Sequence, residues 1–305
     1  MNYPANSPIT LIFRFPLRKF ALSACLLTLS PSIYLHGQTT VYWDVNGTTA
    51  GAGGATPGGT WKTSGGANQN WGNAAGTAVT DNWTNGDIAV FSAGSDATGS
   101  FTVTLASAPT ADSVVIEQGD ITFASSTLTL IGSTPSIDVA TGSSATFDSK
   151  LLGANGLVKD GGGLLVLNNT GNNYTGTTLV NAGTLQIGSG ANILPTATDL
   201  VIAGGNVDFV SSASTHTVNS LSGAGSLDFG DNTFRVIGTS NTTFSGSISD
   251  SGGTFRKLGS GTLTLSGNNT FSGALDHNEG VIVVAHDNAL GAASSGNDVA
   301  SGAAL

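Results

Sequence analysis

Two stretches of this chain are written to one plan, and no other feature narrows the possible folds so far. Leu157 to Ile187 reads LVKDGGGLLVLNNTGNNYTGTTLVNAGTLQI, and Phe255 to Val284 reads FRKLGSGTLTLSGNNTFSGALDHNEGVIVV. Lys159 matches Lys257, Gly163 matches Gly261, and Leu165 and Leu167 match Leu263 and Leu265. Gly171-Asn172-Asn173-Tyr174 answers Gly267-Asn268-Asn269-Thr270-Phe271, Gly176 answers Gly273, and Gly183 answers Gly280. Leu185 with Ile187 closes the first copy as Ile282 with Val284 closes the second, at an offset that passes from 98 to 97 residues. Self-similarity over so long a period is the signature of a repeat architecture, in which each unit buries its apolar face only against its neighbours.

The residues between and around the copies say what kind of unit this is. Short alternating runs recur from Phe101 onward: Phe101–Leu105, Val114–Ile116, Ile121–Phe123, Leu128–Ile131 and Ile137–Val139, then Leu164–Leu167, Thr184–Ile187, Leu200–Ile202, Val207–Phe209, Leu227–Phe229, Phe234–Ile237, Leu263–Leu265 and Val281–Val284. Alternation broken by Gly, Asn or Asp is the strand-and-turn pattern. No stretch holds ten residues of helical period, which excludes crossover helices and hence doubly wound and βα-barrel folds. Glycine supplies 44 of 305 residues, about twice the ordinary share. Charged residues are 9% and hydrophobic residues 39%, the reverse of a disordered chain. Run spacing alone fits a β-sandwich as well as a β-helix. The long repeat favours coils of roughly 20–25 residues, stacking Leu on Leu and Asn on Asn, about 8–10 of them over some 200 residues.

The two copies resemble the autotransporter-associated β-strand repeat, also called the passenger-associated transport repeat, of secreted and surface bacterial proteins. Its pattern, K-x-G-x-G-T-L-x-L-x-G-x-N-x-[YF]-x-G followed by N-x-G-x-L, is met by Lys257, Gly259, Gly261-Thr262-Leu263, Leu265, Gly267, Asn269, Phe271 and Gly273. The first copy carries the tail as Asn181-Ala182-Gly183-Thr184-Leu185, where the second departs to His277-Asn278-Glu279-Gly280. The resemblance implies an all-β, right-handed parallel β-helix (a β-solenoid) and no particular reaction.

Three segments follow. Residues 1–37 read as a signal peptide: a basic lead with Arg14, Arg18 and Lys19, an apolar Phe20–Leu35 broken by Pro31, and a small residue at Gly37 for cleavage. The lipoprotein-like Leu22-Ser23-Ala24-Cys25 follows Lys19 too closely to work well, so Cys25 leaves with the signal, and the mature chain has no thiolate or disulfide. Residues 38–100 hold Trp43, Trp61, Trp71 and Trp83 among Gly-rich loops. Four aromatics there either cap the first coil, as the end of a solenoid requires, or bind carbohydrate. Residues 101–305 form the β-helix, with repeats at about 157–188 and 255–284. The chain stops at Ala300-Ser301-Gly302-Ala303-Ala304-Leu305, within what reads as the next strand, so the native chain is expected to continue. An uncapped coil there would invite end-to-end association, and attachment to a membrane would need a C-terminal barrel or anchor beyond it.

Chemistry is sparse. No G-x-S-x-G, P-loop or H-E-x-x-H occurs, and Asp228-Phe229-Gly230 lacks the companions of the kinase metal triplet. His216, His277 and His286, with Asp276 and Asp287 beside the last two, read as solvated loop residues with no sign of convergence on zinc. Asp208, Asp228 and Asp231 with Arg235 nearby are the sharper candidates, since β-helices that cleave acidic polysaccharides gather carboxylates and a base on one face. Asp also suits turns, and 17 of the 19 acidic residues are Asp. With the signal removed, six basic against nineteen acidic residues leave a formal charge of −13, which disfavours nucleic acid and anionic membranes. The expectation is a non-enzymatic passenger or stalk, secreted or at the outer-membrane surface, with an adhesion or matrix role. It has no catalytic, cofactor or metal residues beyond weak structural calcium, and extracellular glycans or cell-surface components are its partners. The alternatives are a polysaccharide lyase or hydrolase on the same rod and a carbohydrate-binding module in the tryptophan segment.

Overall fold

The computed structural model describes residues 38–63, 70–79, 83–292 and 297–305, so the signal segment lies outside the described residues. Among the described residues every regular element is a β-strand. The strands fall into a twelve-stranded sheet, a nine-stranded sheet, and a third face made of a four-stranded sheet (Thr110–Ala111 to Asn173–Tyr174) followed by a five-stranded one (Thr215–Val218 to Asn297–Val299). The chain visits the faces in rotation. Leu157–Asp160 lies on the twelve-stranded face, Leu164–Leu167 on the nine-stranded face, Asn173–Tyr174 on the third, and Thr178–Val180 returns to the first beside its start. Every pairing between named strands is parallel except Thr40–Trp43 with Trp71–Gly72, an antiparallel edge that closes the twelve-stranded sheet. This is a parallel β-solenoid.

Its interior follows from the period-two alternation of strands. Thr262–Leu265 and Leu164–Leu167 both show the pattern of one buried side chain in two, and the buried partners stack coil on coil: Ala145, Leu165, Leu185 and Val207 in one column, Phe147, Leu167, Ile187 and Phe209 in the next. Coils beyond the first advance by 18 residues (Thr215 to Thr233) up to 25 (Ala89 to Val114).

That spacing explains the 97–98 residue offset. Counting up the twelve-stranded face, Lys159 is followed by Val180, Ile202, Gly223 and Phe244, four coils in all. The chain then crosses the nine-stranded face at Ser247–Ser249 and reaches Lys257 on the five-stranded face. The copies are four coils and two faces apart, so they never stack on each other. Instead each copy stacks on itself: Leu165 and Leu167 meet their own tail in Leu185 and Ile187, and Leu263 and Leu265 meet Ile282 and Val284. The expected Asn-on-Asn ladder is also mostly different. Asn268 accepts from Asn288 at 2.9 Å, but Asn168, Asn181 and Asn219 donate to Asp148, Asp160 and Asp199 of the preceding coil at 2.8, 2.8 and 2.7 Å.

The tail glycine shows why the corners are so demanding. Gly183 turns at φ +64°, and a Cβ there would lie 2.4 Å from the Gly163 carbonyl oxygen in the coil below. Gly142 also has positive φ (+87°), yet nothing lies within 4 Å of its Cβ position. Gly142→Ala should therefore cost about 1 kcal/mol, the backbone strain alone. Gly183→Ala should cost about 3 kcal/mol because strain and overlap act together. Urea midpoints of the two variants measure the difference.

Candidate functional site

The tryptophan segment is the first place to look, and its rings are inside. Trp43 and Trp61 are fully buried and Trp71 and Trp83 nearly so. They meet mostly edge-on, Trp43 to Trp71 at 5.3 Å and Trp61 to Trp83 at 4.6 Å between centroids, and the cluster runs on through Phe91 and Phe123 (5.0 Å) to Phe147 (4.5 Å). Rings so covered offer no face to a sugar. They close the end of the core, since a first coil has no predecessor against which to bury its apolar side.

The carboxylate candidates do not assemble. Asp208 and Asp228 are register neighbours pointing outward on the nine-stranded face. Asp208 accepts from Gln186 Nε2 at 3.0 Å, and Asp228 accepts from the Gly230 N–H, an Asx turn. Asp231 sits in the following corner and accepts from the Ala213 N–H at 3.0 Å. Arg235 lies around that corner on the five-stranded face, in an outward column with Thr217, Arg256, Asp276 and Asp298. Its neighbour Arg256 pairs with Asp276 at 2.7 Å. An open groove of about 420 Å³, lined by Thr129, Leu130, Ile131, Leu152, Gly153, Ala154, Asn155 and Asn173, contains no titratable group. No cluster of three or more His, Cys, Asp or Glu able to hold a metal occurs among the described residues.

Two of the three histidines depart from the solvated-loop expectation. His286 is exposed as expected, and its Nδ1 accepts from the Asn288 N–H. His216 is buried at an inward position of Thr215–Val218, 4.6 Å from the Phe209 ring, with neither ring nitrogen hydrogen-bonded. His277 is fully buried at an inward position of Ala274–His277, with Nε2 3.1 Å from the Gly280 carbonyl and Nδ1 unpartnered. The physical reason is that a two-residue period outranks polarity: His216 stands in the stacking column of Phe234 and Phe255, and His277 stacks on Lys257. Burial holds His216 down to about 4, and burial, with the Lys257 charge adding, holds His277 below the ordinary value.

The repeat's own polar residues turn inward as well. Lys159 is fully buried, and its Nζ donates to the carbonyls of Asp160 (2.6 Å), Gly161 (2.7 Å) and, one coil on, Ala182 (3.3 Å). Lys257 repeats this with Gly259 and, one coil on, Glu279 at 3.4 Å. Burial depresses both ammonium groups, Lys159 to about 8, against the pull of Asp138 and Asp160. Asn172 accepts from the Leu151 N–H at 2.8 Å and donates to the Ile193 carbonyl at 3.2 Å. Asn269 accepts from Ile248 at 2.8 Å and donates to Ala289 at 2.6 Å. Each copy is thus a pair of staples, a lysine tying a corner to the coil above and an asparagine tying the coil below to the coil above. At the [YF] position, the Tyr174 hydroxyl bonds Thr178 (2.9 Å), which bonds Thr198 (2.8 Å), whereas Phe271 only packs.

Comparison with known proteins agrees with this reading. The passenger-associated-transport-repeat family matches residues 157–187 and 255–284, so both stretches carry that repeat. A curated relative, the adhesin BmaC autotransporter of Brucella suis biovar 1 (strain 1330), is 35% identical over 164 residues. That match covers 54% of this chain and 4% of the relative. No solved structure matches.

Asn269→Ala would strand a buried N–H and a buried carbonyl, so it should lower unfolding free energy by about 2–4 kcal/mol. Its exposed neighbour Asn268→Ala should stay within about 0.5 kcal/mol. For His216 the folded value lies below the unfolded one, so between pH 6.5 and about 4 the unfolded chain binds more protons and stability falls as pH drops through that window. His216→Leu should reduce this slope in urea melts at pH 7, 5.5 and 4.5, and the slope that His277 contributes should remain.

Proposed function

We propose that this chain is a stretch of a non-enzymatic, adhesin-type passenger, carried to the cell surface or beyond after loss of the leader at residues 1–37, with residues 38–100 as its end-capping segment. The observation that carries the reading is the use of the repeat's lysines and asparagines for coil-to-coil bonds, which leaves the outward positions to contact a partner. Those positions are largely Ser, Thr, Asn and Asp, such as Ser144, Thr146, Thr184, Asn206, Asp208, Ser226 and Asp228 on the nine-stranded face. They suit hydrogen-bonded contact with extracellular glycans or cell-surface protein. The sequence relative is itself an adhesin autotransporter, which supports the same class. A formal charge of −10 on the whole sequence speaks against nucleic acid.

Beads coated with the purified chain should adhere to host-cell monolayers or extracellular matrix several-fold better than beads coated with an unrelated protein, and should release no reducing ends from acidic polysaccharides. Depolymerase activity lost in Asp228→Ala, without adhesion, would replace this reading with the enzymatic one.

A further inference from the structure

At the capped end of the solenoid, two buried acceptor oxygens face no donor. Asp44, which follows Trp43 at the end of Thr40–Trp43, is 1% exposed. Its Oδ1 accepts from the N–H groups of Asn46 and Gly47 at 2.9 and 3.1 Å, and its Oδ2, buried against Gly72, has no hydrogen-bond partner. The Asn46 side-chain carbonyl oxygen, two residues on, is likewise buried and unpartnered. An ionised carboxylate oxygen and an amide oxygen both lack a hydrogen, so neither satisfies the other. Buried orphan acceptors are rare in folded proteins, and a bound ion is one of the few explanations for a pair of them.

The surroundings are built rather than accidental. Asp96 anchors the adjoining glycine loop by accepting from the Ala52 and Gly54 N–H groups, both at 2.7 Å, and it is close enough for its charge to act on Asp44. Burial first, with the Asp96 charge adding, raises the Asp44 carboxyl above its ordinary value against the pull of the Asn46 and Gly47 N–H groups at Oδ1, and a cation at Oδ2 would restore the anion. The sequence Asp44-Val45-Asn46-Gly47 places oxygens on alternate residues of a turn that ends in a glycine at φ +78°. Hard cations such as calcium are held by oxygens presented in this way, at the weak affinities usual for extracellular modules.

We propose that the capping loop binds a calcium-type divalent cation through Asp44 Oδ2 and the Asn46 side-chain oxygen, locking the first coil. This site is separate from Asp208, Asp228 and Asp231, the carboxylates that the sequence alone singles out. It is also independent of whether the chain is an adhesin.

Trp43 and Trp71, 5.3 Å apart beside the site, serve as built-in antennae. The full chain, stripped with EDTA, is titrated with terbium under tryptophan excitation and melted with and without calcium. Sensitised emission should rise several-fold and be displaced by calcium, and Tm should rise by about 5 °C at calcium a hundredfold above Kd. Both responses should vanish in Asp44→Asn and persist in Asp228→Asn, which removes an exposed carboxylate elsewhere. Should Asp44→Asn fail to fold, Asn46→Ala is expected to weaken calcium about tenfold, and an unchanged affinity would overturn the site. An intact chain with no sensitised emission and no calcium-dependent Tm would overturn it too. So would an Asp44→Asn variant more stable than its parent and blind to calcium only because the parent is blind as well, the result expected if the two oxygens share a proton.

Discussion

Everything in this solenoid depends on the in-register parallel ladder between one coil and the next. A single coil of about twenty residues buries nothing by itself, and its corners, where the backbone leaves one sheet for another, turn carbonyls and N–H groups away from the ladder. Lys159 and Lys257 settle those corner carbonyls with an ammonium group whose stem remains in the core. That arrangement costs desolvation, as the depressed value of Lys159 shows, and the carbonyls around Nζ offset it. Asn172 and Asn269 do the complementary task, since one amide carries both a donor and an acceptor and so bridges two coils at once.

The same problem arises at every corner, and the motif is one answer among several. Asn232, fully buried, accepts from the Ser214 N–H and donates to the Val210 and Phe229 carbonyls. Asp250 receives the Ser272 and Gly273 N–H groups at 2.7 and 2.9 Å. Thr178 and Thr198 form a hydroxyl relay to the Gly176 carbonyl. A repeat is therefore visible in only two stretches because the chemistry that defines it has substitutes. Its freedom from any one face has the same origin: a corner followed by a strand looks alike wherever it falls on the three-sided path.

This accounts for what could be read from the residues and what could not. Runs with two apolar inward positions, such as Leu164–Leu167 and Thr262–Leu265, announce their strands. Strands with a single large inward residue among threonines and serines do not; Thr242–Phe244 and Ser247–Ser249 each present one. Thr215–Val218 is the hardest case, because a histidine holds the inward place that Phe234 and Phe255 hold in later coils. Nothing in a lone His distinguishes a core column from a loop until the register is known. The Asp44 and Asn46 oxygens were equally silent in the sequence, since an Asx turn explains Asp44 fully until the burial of its second oxygen is seen.

Function in such a fold is constrained by what the stacking consumes. The basic groups beyond the signal segment are six, and two of them, Lys159 and Lys257, are committed inside. A third, Arg256, is tied to Asp276. General acid–base chemistry needs titratable groups brought together and perturbed toward the working pH. Here Lys159, Lys257, His216 and His277 are perturbed by the core that hides them, while the outward carboxylates Asp208 and Asp228 lie on a different face from Arg235. The outward positions carry hydroxyls, amides and scattered carboxylates. Repeated at the coil spacing of roughly 4.8 Å, such groups make an extended hydrogen-bonding surface along the coils.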